Sequence, residues 1–191
     1  MSYDLCAFTP KSGEDPIHTA RRLMEEPEDG PVRGKRNPDV EARKSRLAEA
    51  LIQRNPALSP FQVQYDEIAR LEQITVAEAM ARYRYIELNG PEDGPGIQIT
   101  LFDDQVSLTV PYWHRHPKAE AVFQEIWGYL EVMEQVGGYR IFDPQLERVL
   151  NLQQDFEPVL SGYARVTESL QQGPVTLSKA PTPKKPWWRL W

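Results

Sequence analysis

The chain has 191 residues, a length that suits one domain with ragged ends. Its 28 Asp and Glu against 22 Lys and Arg give a net charge of −6, which repels phosphates and disfavours generic nucleic-acid binding; it would suit a basic partner, although many equally acidic proteins bind nothing basic. One cysteine, Cys6, excludes an internal disulfide; there is no basic-then-apolar leader at Met-Ser-Tyr-Asp and no apolar run of the ~20 residues a spanning helix needs, so a cytoplasmic chain is expected.

Residues 3–8 are short, apolar-rich and closed by Thr9-Pro10, which predicts a first strand. Asp15-Pro16 pairs a cap with a proline at the first helical position, and Ile17, Ala20 and Leu23 (or Met24) share a helical face up to Glu26. The Gly- and Pro-rich residues 27–35 predict a mobile loop. Asn37-Pro38 repeats the cap signal, and Val40, Leu47, Ala50 and Leu51 predict a second helix stopped at Asn55-Pro56. Residues 58–73 fit helix and strand about equally. Thr75 and Glu78 have capping-box spacing, predicting a short helix to about Ala81.

Residues 83–88 predict a strand. Ile97, Ile99 and Leu101 then alternate with Gln98, Thr100 and Phe102. After the turn at Asp103-Asp104, Val106, Leu108 and Val110 alternate with Gln105, Ser107 and Thr109. That is a period-two hairpin with one apolar face. Ala119, Val122, Ile126, Leu130 and Met133 line a helix over 119–136, widened by Phe123 and Trp127 and stopped by Gly137-Gly138. Residues 139–142 predict a strand, Asp143-Pro144 a turn and 148–152 a further short strand. Phe156, Val159, Leu160, Tyr163, Val166 and Leu170 mark a last amphipathic helix.

These elements predict an α+β two-layer sandwich over residues 1–171. Its sheet is mainly antiparallel, its helices pack on one face, and a C-terminal helix is added. The order suggests a split β-α-β arrangement. Residues 172–191 form a Pro-rich linker and a flexible, basic, Trp-rich tail, with prolines at 174, 181, 183 and 186.

No strong catalytic, nucleotide-binding or metal-binding motif is present, and no cofactor is expected. Tyr112, Trp113, His114 and His116 fall in the densest local cluster, 111–117. In extended backbone His114 and His116 would point the same way, with Glu120 one helical turn beyond, a weak metal pattern against the simpler reading of a polar loop whose Tyr112 and Trp113 pack over the core edge. Cys6 in a strand reads as a small hydrophobe, and Asp103-Asp104 as a turn. The tail carries Lys184, Lys185, Trp187, Trp188, Arg189 and Trp191. Tryptophans beside cations mark a docking element for a protein partner or, equally, rings that fold back onto the body; a peripheral contact with an anionic membrane ranks below both.

The stretches Ser2-Tyr3-Asp4-Leu5, Ile86-Glu87-Leu88, Thr109-Val110-Pro111-Tyr112-Trp113 and Gly138-Tyr139-Arg140-Ile141-Phe142-Asp143-Pro144-Gln145 resemble uncharacterised bacterial proteins of immunity-protein type. The resemblance implies a protein that shields its cell from a toxin by direct binding, and it transfers no catalytic residue. A non-enzymatic protein-binding role, with a cationic toxin as partner, is therefore the leading expectation. Recruitment to a membrane or assembly through the tail comes second, and a metal-dependent enzyme using His114, His116 and Glu120 comes third.

Overall fold

Strand β1 (Ser2–Phe8) lies at the heart of the sheet, paired antiparallel on both sides, and every other element is placed around it. The computed structural model describes residues 1–25 and 37–171. The 27–35 loop and the 172–191 linker and tail lie outside the described residues, as does the helix end expected at Glu26.

The order after β1 is α1 (Pro16–Glu25), α2 (Pro38–Arg54), β2 (Ser59–Pro60), α3 (Tyr65–Glu72), α4 (Val76–Arg82) and β3 (Ile86–Asn89). Then come β4 (Gln98–Leu101), β5 (Gln105–Pro111), α5 (Lys118–Gly137), β6 (Arg140–Asp143), β7 (Arg148–Val149) and α6 (Phe156–Gln171). The strands form one antiparallel sheet in the order β2-β3-β4-β5-β1-β6-β7. Both β5 and β6 run antiparallel to β1, so they are parallel to each other, joined through α5 with β1 between them. This is the split β-α-β unit expected from the element order.

Local chemistry explains the element ends. Asn37 accepts a bond from the Asp39 amide at 3.0 Å, capping α2 just ahead of its proline. Thr75 and Glu78 form the reciprocal capping box that starts α4. Gly138, with φ of 67°, ends α5 in the left-handed conformation that glycine adopts without strain.

The hairpin face falls as its alternation requires. Val106, Leu108 and Val110 are buried, while Ser107 and Thr109 on the other face are half-buried. Across the sheet Leu5 faces Leu108, which faces Ile99, a continuous apolar row beneath α2 and α5. The stripe of α5 is buried from Ala119 to Met133.

The α+β sandwich stands, with one addition: α1 covers the opposite face. Tyr3, Leu5 and Ala7 of β1 enter the main core, whereas Cys6 and Phe8 point the other way and pack with Phe142, Ala20 and Leu23. Other differences are local. Tyr83 is the C-cap of α4, so β3 begins only at Ile86 rather than at 83. In α2 the core position falls to Ala48, with Ala50 half-buried, and Lys44 is buried on the same helix. At the end of α6, Leu170 is exposed and Thr167 is buried, its hydroxyl donating to the Tyr163 carbonyl at 3.0 Å. β7 stops at Val149 because the chain turns at Asn151, whose amide donates to Asp155 at 2.7 Å.

Candidate functional site

The 111–117 segment is anchored by aromatic side chains from two elements, β1 and α6. Tyr163 of α6 stacks on Tyr112 with centroids 5.2 Å apart, and Tyr3 meets both rings edge-on. The Tyr163 hydroxyl donates to the Pro111 carbonyl at 2.6 Å and accepts from the His114 amide at 3.1 Å. Beneath them the Tyr3 hydroxyl donates to Asp143, which also accepts from the Gln145 and Leu146 amides at 2.8 and 3.1 Å. Burial raises the Asp143 carboxyl above its ordinary range, and the bonds from Tyr3 and the two amides pull against that rise.

Within this frame the two histidines part company. The His114 ring is buried, with Nε2 2.7 Å from the Pro95 carbonyl oxygen and 2.8 Å from Trp113 Nε1. One nitrogen cannot donate to the carbonyl and accept from the indole at once, so the neutral ring serves one of them through its tautomer. Burial lowers the His114 pKa, against the pull of the Pro95 carbonyl, and keeps it neutral. The His116 side chain is 82% exposed, its Nδ1 4.0 Å from Glu120. The same-side geometry expected of a ligand pair is absent: the His114 ring points inward to the Pro95 carbonyl, while His116, at the turn into Pro117, faces solvent. Among the described residues no group of three His, Cys, Asp or Glu is arranged to hold a metal ion.

Tyr112 packs over the core edge as expected, but Trp113 is 62% exposed. Trp113, Arg115, His116 and Lys118 line a shallow open recess at the start of α5. It is a basic ledge on an acidic protein. The tail residues Lys184, Lys185, Trp187, Trp188, Arg189 and Trp191 lie outside the described residues, and with them the membrane contact expected of the tail. Among the described residues no helix is long and apolar enough to cross a membrane.

A second surface was not legible as a site. Helices α3 and α4 pack chiefly on each other, and each buries a single residue, Ala69 and Ala79 respectively. Gln73 turns the chain between them at a φ of 57°. Glu72 accepts from both Arg82 and Tyr83, and the Tyr65 hydroxyl donates to the Tyr83 carbonyl at 3.3 Å. Polar side chains thus tie the hairpin together, and while Tyr65, Ile68 and Ile74 are half-buried, others of its large apolar residues are exposed. Phe61, just before it, is 50% exposed, Leu71 47%, Val76 40% and Met80 54%. Val76 and Met80 stand one turn apart on the same face of α4.

The charge there is acidic. Residues 61–82 hold Asp66, Glu67, Glu72 and Glu78 against Arg70 and Arg82. Arg82 pairs with Glu72 and Arg70 with Glu67, which leaves the hairpin with a negative excess. Bonds from the Thr75 amide and hydroxyl lower the Glu78 pKa and keep it ionised. The signal in the sequence was the ambiguity itself. The apolar residues Phe61, Val63, Ile68 and Leu71 fall on no single helical or strand face, because no core dictates one. No family model, no curated protein and no solved structure matches this chain.

Proposed function

We propose that this chain is a non-enzymatic protein-binding protein of immunity type, which neutralises a cationic toxin by covering it with the α3–α4 hairpin. The observation that carries this reading is the exposure of Phe61, Leu71, Val76 and Met80 on one small unit whose formal charge is negative. Apolar side chains supply the binding energy of a protein interface, and surrounding carboxylates steer a basic partner onto it. The net charge of −6 acts in the same direction at long range. The basic ledge at Trp113 suits such a partner less well, since Arg115 and Lys118 repel it.

The test compares the full chain with its Leu71→Glu/Met80→Glu variant, each immobilised and offered a lysate of the source cells. The reading expects one basic protein retained by the wild type and released by the variant. Expressed alone, that protein should arrest growth, and co-expression of the wild-type chain should relieve the arrest. Equal retention by both chains overturns the hairpin as the docking face. A retained protein that is harmless to cells overturns the immunity role.

A further inference from the structure

We propose that residues 184–191 dock in cis on the α3–α4 hairpin of their own chain, and so compete with the protein partner for that surface. The proposal rests on the hairpin being a docking face, and it adds a regulator to it. The two surfaces are complementary in both respects that matter. The hairpin exposes Leu71, Val76 and Met80 beside Asp66, Glu67 and Glu78. The segment offers Trp187, Trp188 and Trp191 beside Lys184, Lys185 and Arg189, with no acid among them. Tryptophan is the side chain that gains most by covering exposed apolar groups, and the cations fix its placement against the carboxylates.

The chain between Gln171, the end of α6, and Lys184 spans up to about 45 Å when extended, against a diameter of roughly 40 Å for a body this size, so the segment can reach most of the surface. Tethering supplies an effective concentration on the order of millimolar, so a weak contact is enough to hold the segment in place. The other exposed aromatic surface is a poor host: Arg115 and Lys118 beside Trp113 repel the cations of the segment. A second copy is also a poor occupant, because hairpin against hairpin sets like charges face to face.

The experiment is hydrogen exchange on the full chain and on its full-length Trp187→Ala/Trp188→Ala/Trp191→Ala variant, with a synthetic peptide of residues 179–191 as the added probe. Amides of 65–82 should exchange about tenfold faster in the variant, and the peptide should restore their protection. Unchanged exchange across 65–82 overturns the proposal, as does a change confined to 113–121. A change that spreads to β5 and α5 also overturns it, by making the tail part of the core. Protection that grows with protein concentration overturns the cis form in favour of docking between copies. Partner capture by Leu71→Glu/Met80→Glu is a separate readout. Capture that survives that variant while exchange at 65–82 still follows the tail would remove the proposed function and leave tail docking standing.

Discussion

Lys44 Nζ stands 2.6 Å from Asp103 Oδ1, with the lysine side chain 1% exposed and the carboxylate at the tip of the β4–β5 hairpin. Lys44 also reaches Glu41 at 2.9 Å and donates to the Arg84 carbonyl at 2.5 Å. The other oxygen of Asp103 takes Arg84 at 3.1 Å, and its backbone carbonyl takes Arg43 at 2.6 Å. The hairpin turn is thus fastened to α2 and to the approach of β3 by charge. Asp103→Ala leaves the buried Lys44 with Glu41 as its anion but takes a charged bond from each of Lys44 and Arg84, so it should cost about 2 kcal/mol. Lys44→Met keeps the apolar stem, removes the charge and leaves Asp103 its arginine. It should cost clearly less. Chemical denaturation of the two variants checks the order. Equal losses would mean that the contact is spatial, not electrostatic.

Leu108 sits in the middle of the row from Leu5 to Ile99 and is 1% exposed. Leu108→Ala should cost roughly 2–5 kcal/mol, while Ser107→Ala on the opposite face should stay within roughly 0.5 kcal/mol. Urea melts of the two variants measure both. A loss at Ser107 matching that at Leu108 would contradict the assignment of faces.

How far such positions could be read from the sequence depended on whether one local rule decided them. Val106, Leu108 and Val110 lie where alternation puts them, and Thr75 with Glu78 where capping chemistry puts them, because both rules act within a few residues. The burial of Lys44 was hidden, since it depends on Asp103, 59 residues away. The second face of β1 was hidden for a related reason. Cys6 and Phe8 are as apolar as Leu5 and Ala7, and only the position of α1 shows that the strand is covered on both sides. Of the candidate site, the aromatic character of 111–117 was legible. The fates of its side chains, His114 inward and Trp113 outward, depend on Tyr163 and Pro95. The α3–α4 surface left only an unresolved pattern.

Asp143 supplies a pH dependence with a definite sign. Burial raises its pKa above the ordinary 3.8, so the folded state holds the proton more tightly than the unfolded chain. Its contribution to stability is therefore greatest at pH below the unfolded value and is lost as pH rises through the folded pKa. Asp143→Asn, which cannot ionise, should gain stability relative to the wild type as pH rises from about 4 to about 8. Tyr3→Phe removes a bond that favours the carboxylate, so it should move the same loss to higher pH. Thermal melts across that range, read as differences from the wild type, check both. A difference that runs the other way would place the folded pKa below the unfolded one.

His114 and His116 should separate cleanly in their effects. The His114 ring is 2% exposed, and its Nε2 stands between the Pro95 carbonyl, in the loop that precedes β4, and the Trp113 indole, so it packs that loop against the approach to α5. His114→Ala empties a buried position and removes the ring's bond to one of these partners, which should cost about 1–3 kcal/mol. His116 faces solvent, and its 4.0 Å approach to Glu120 is a surface pairing of small worth. His116→Ala should leave the melting temperature where it is. Neither added zinc nor a chelator should shift the melt of the wild type or of the double variant, because the two rings occupy different environments. Differential scanning calorimetry with and without metal makes the comparison. A chelator-induced fall in melting temperature that disappears in the double variant would show that both rings hold one ion, with His114 turned away from Pro95 to do so.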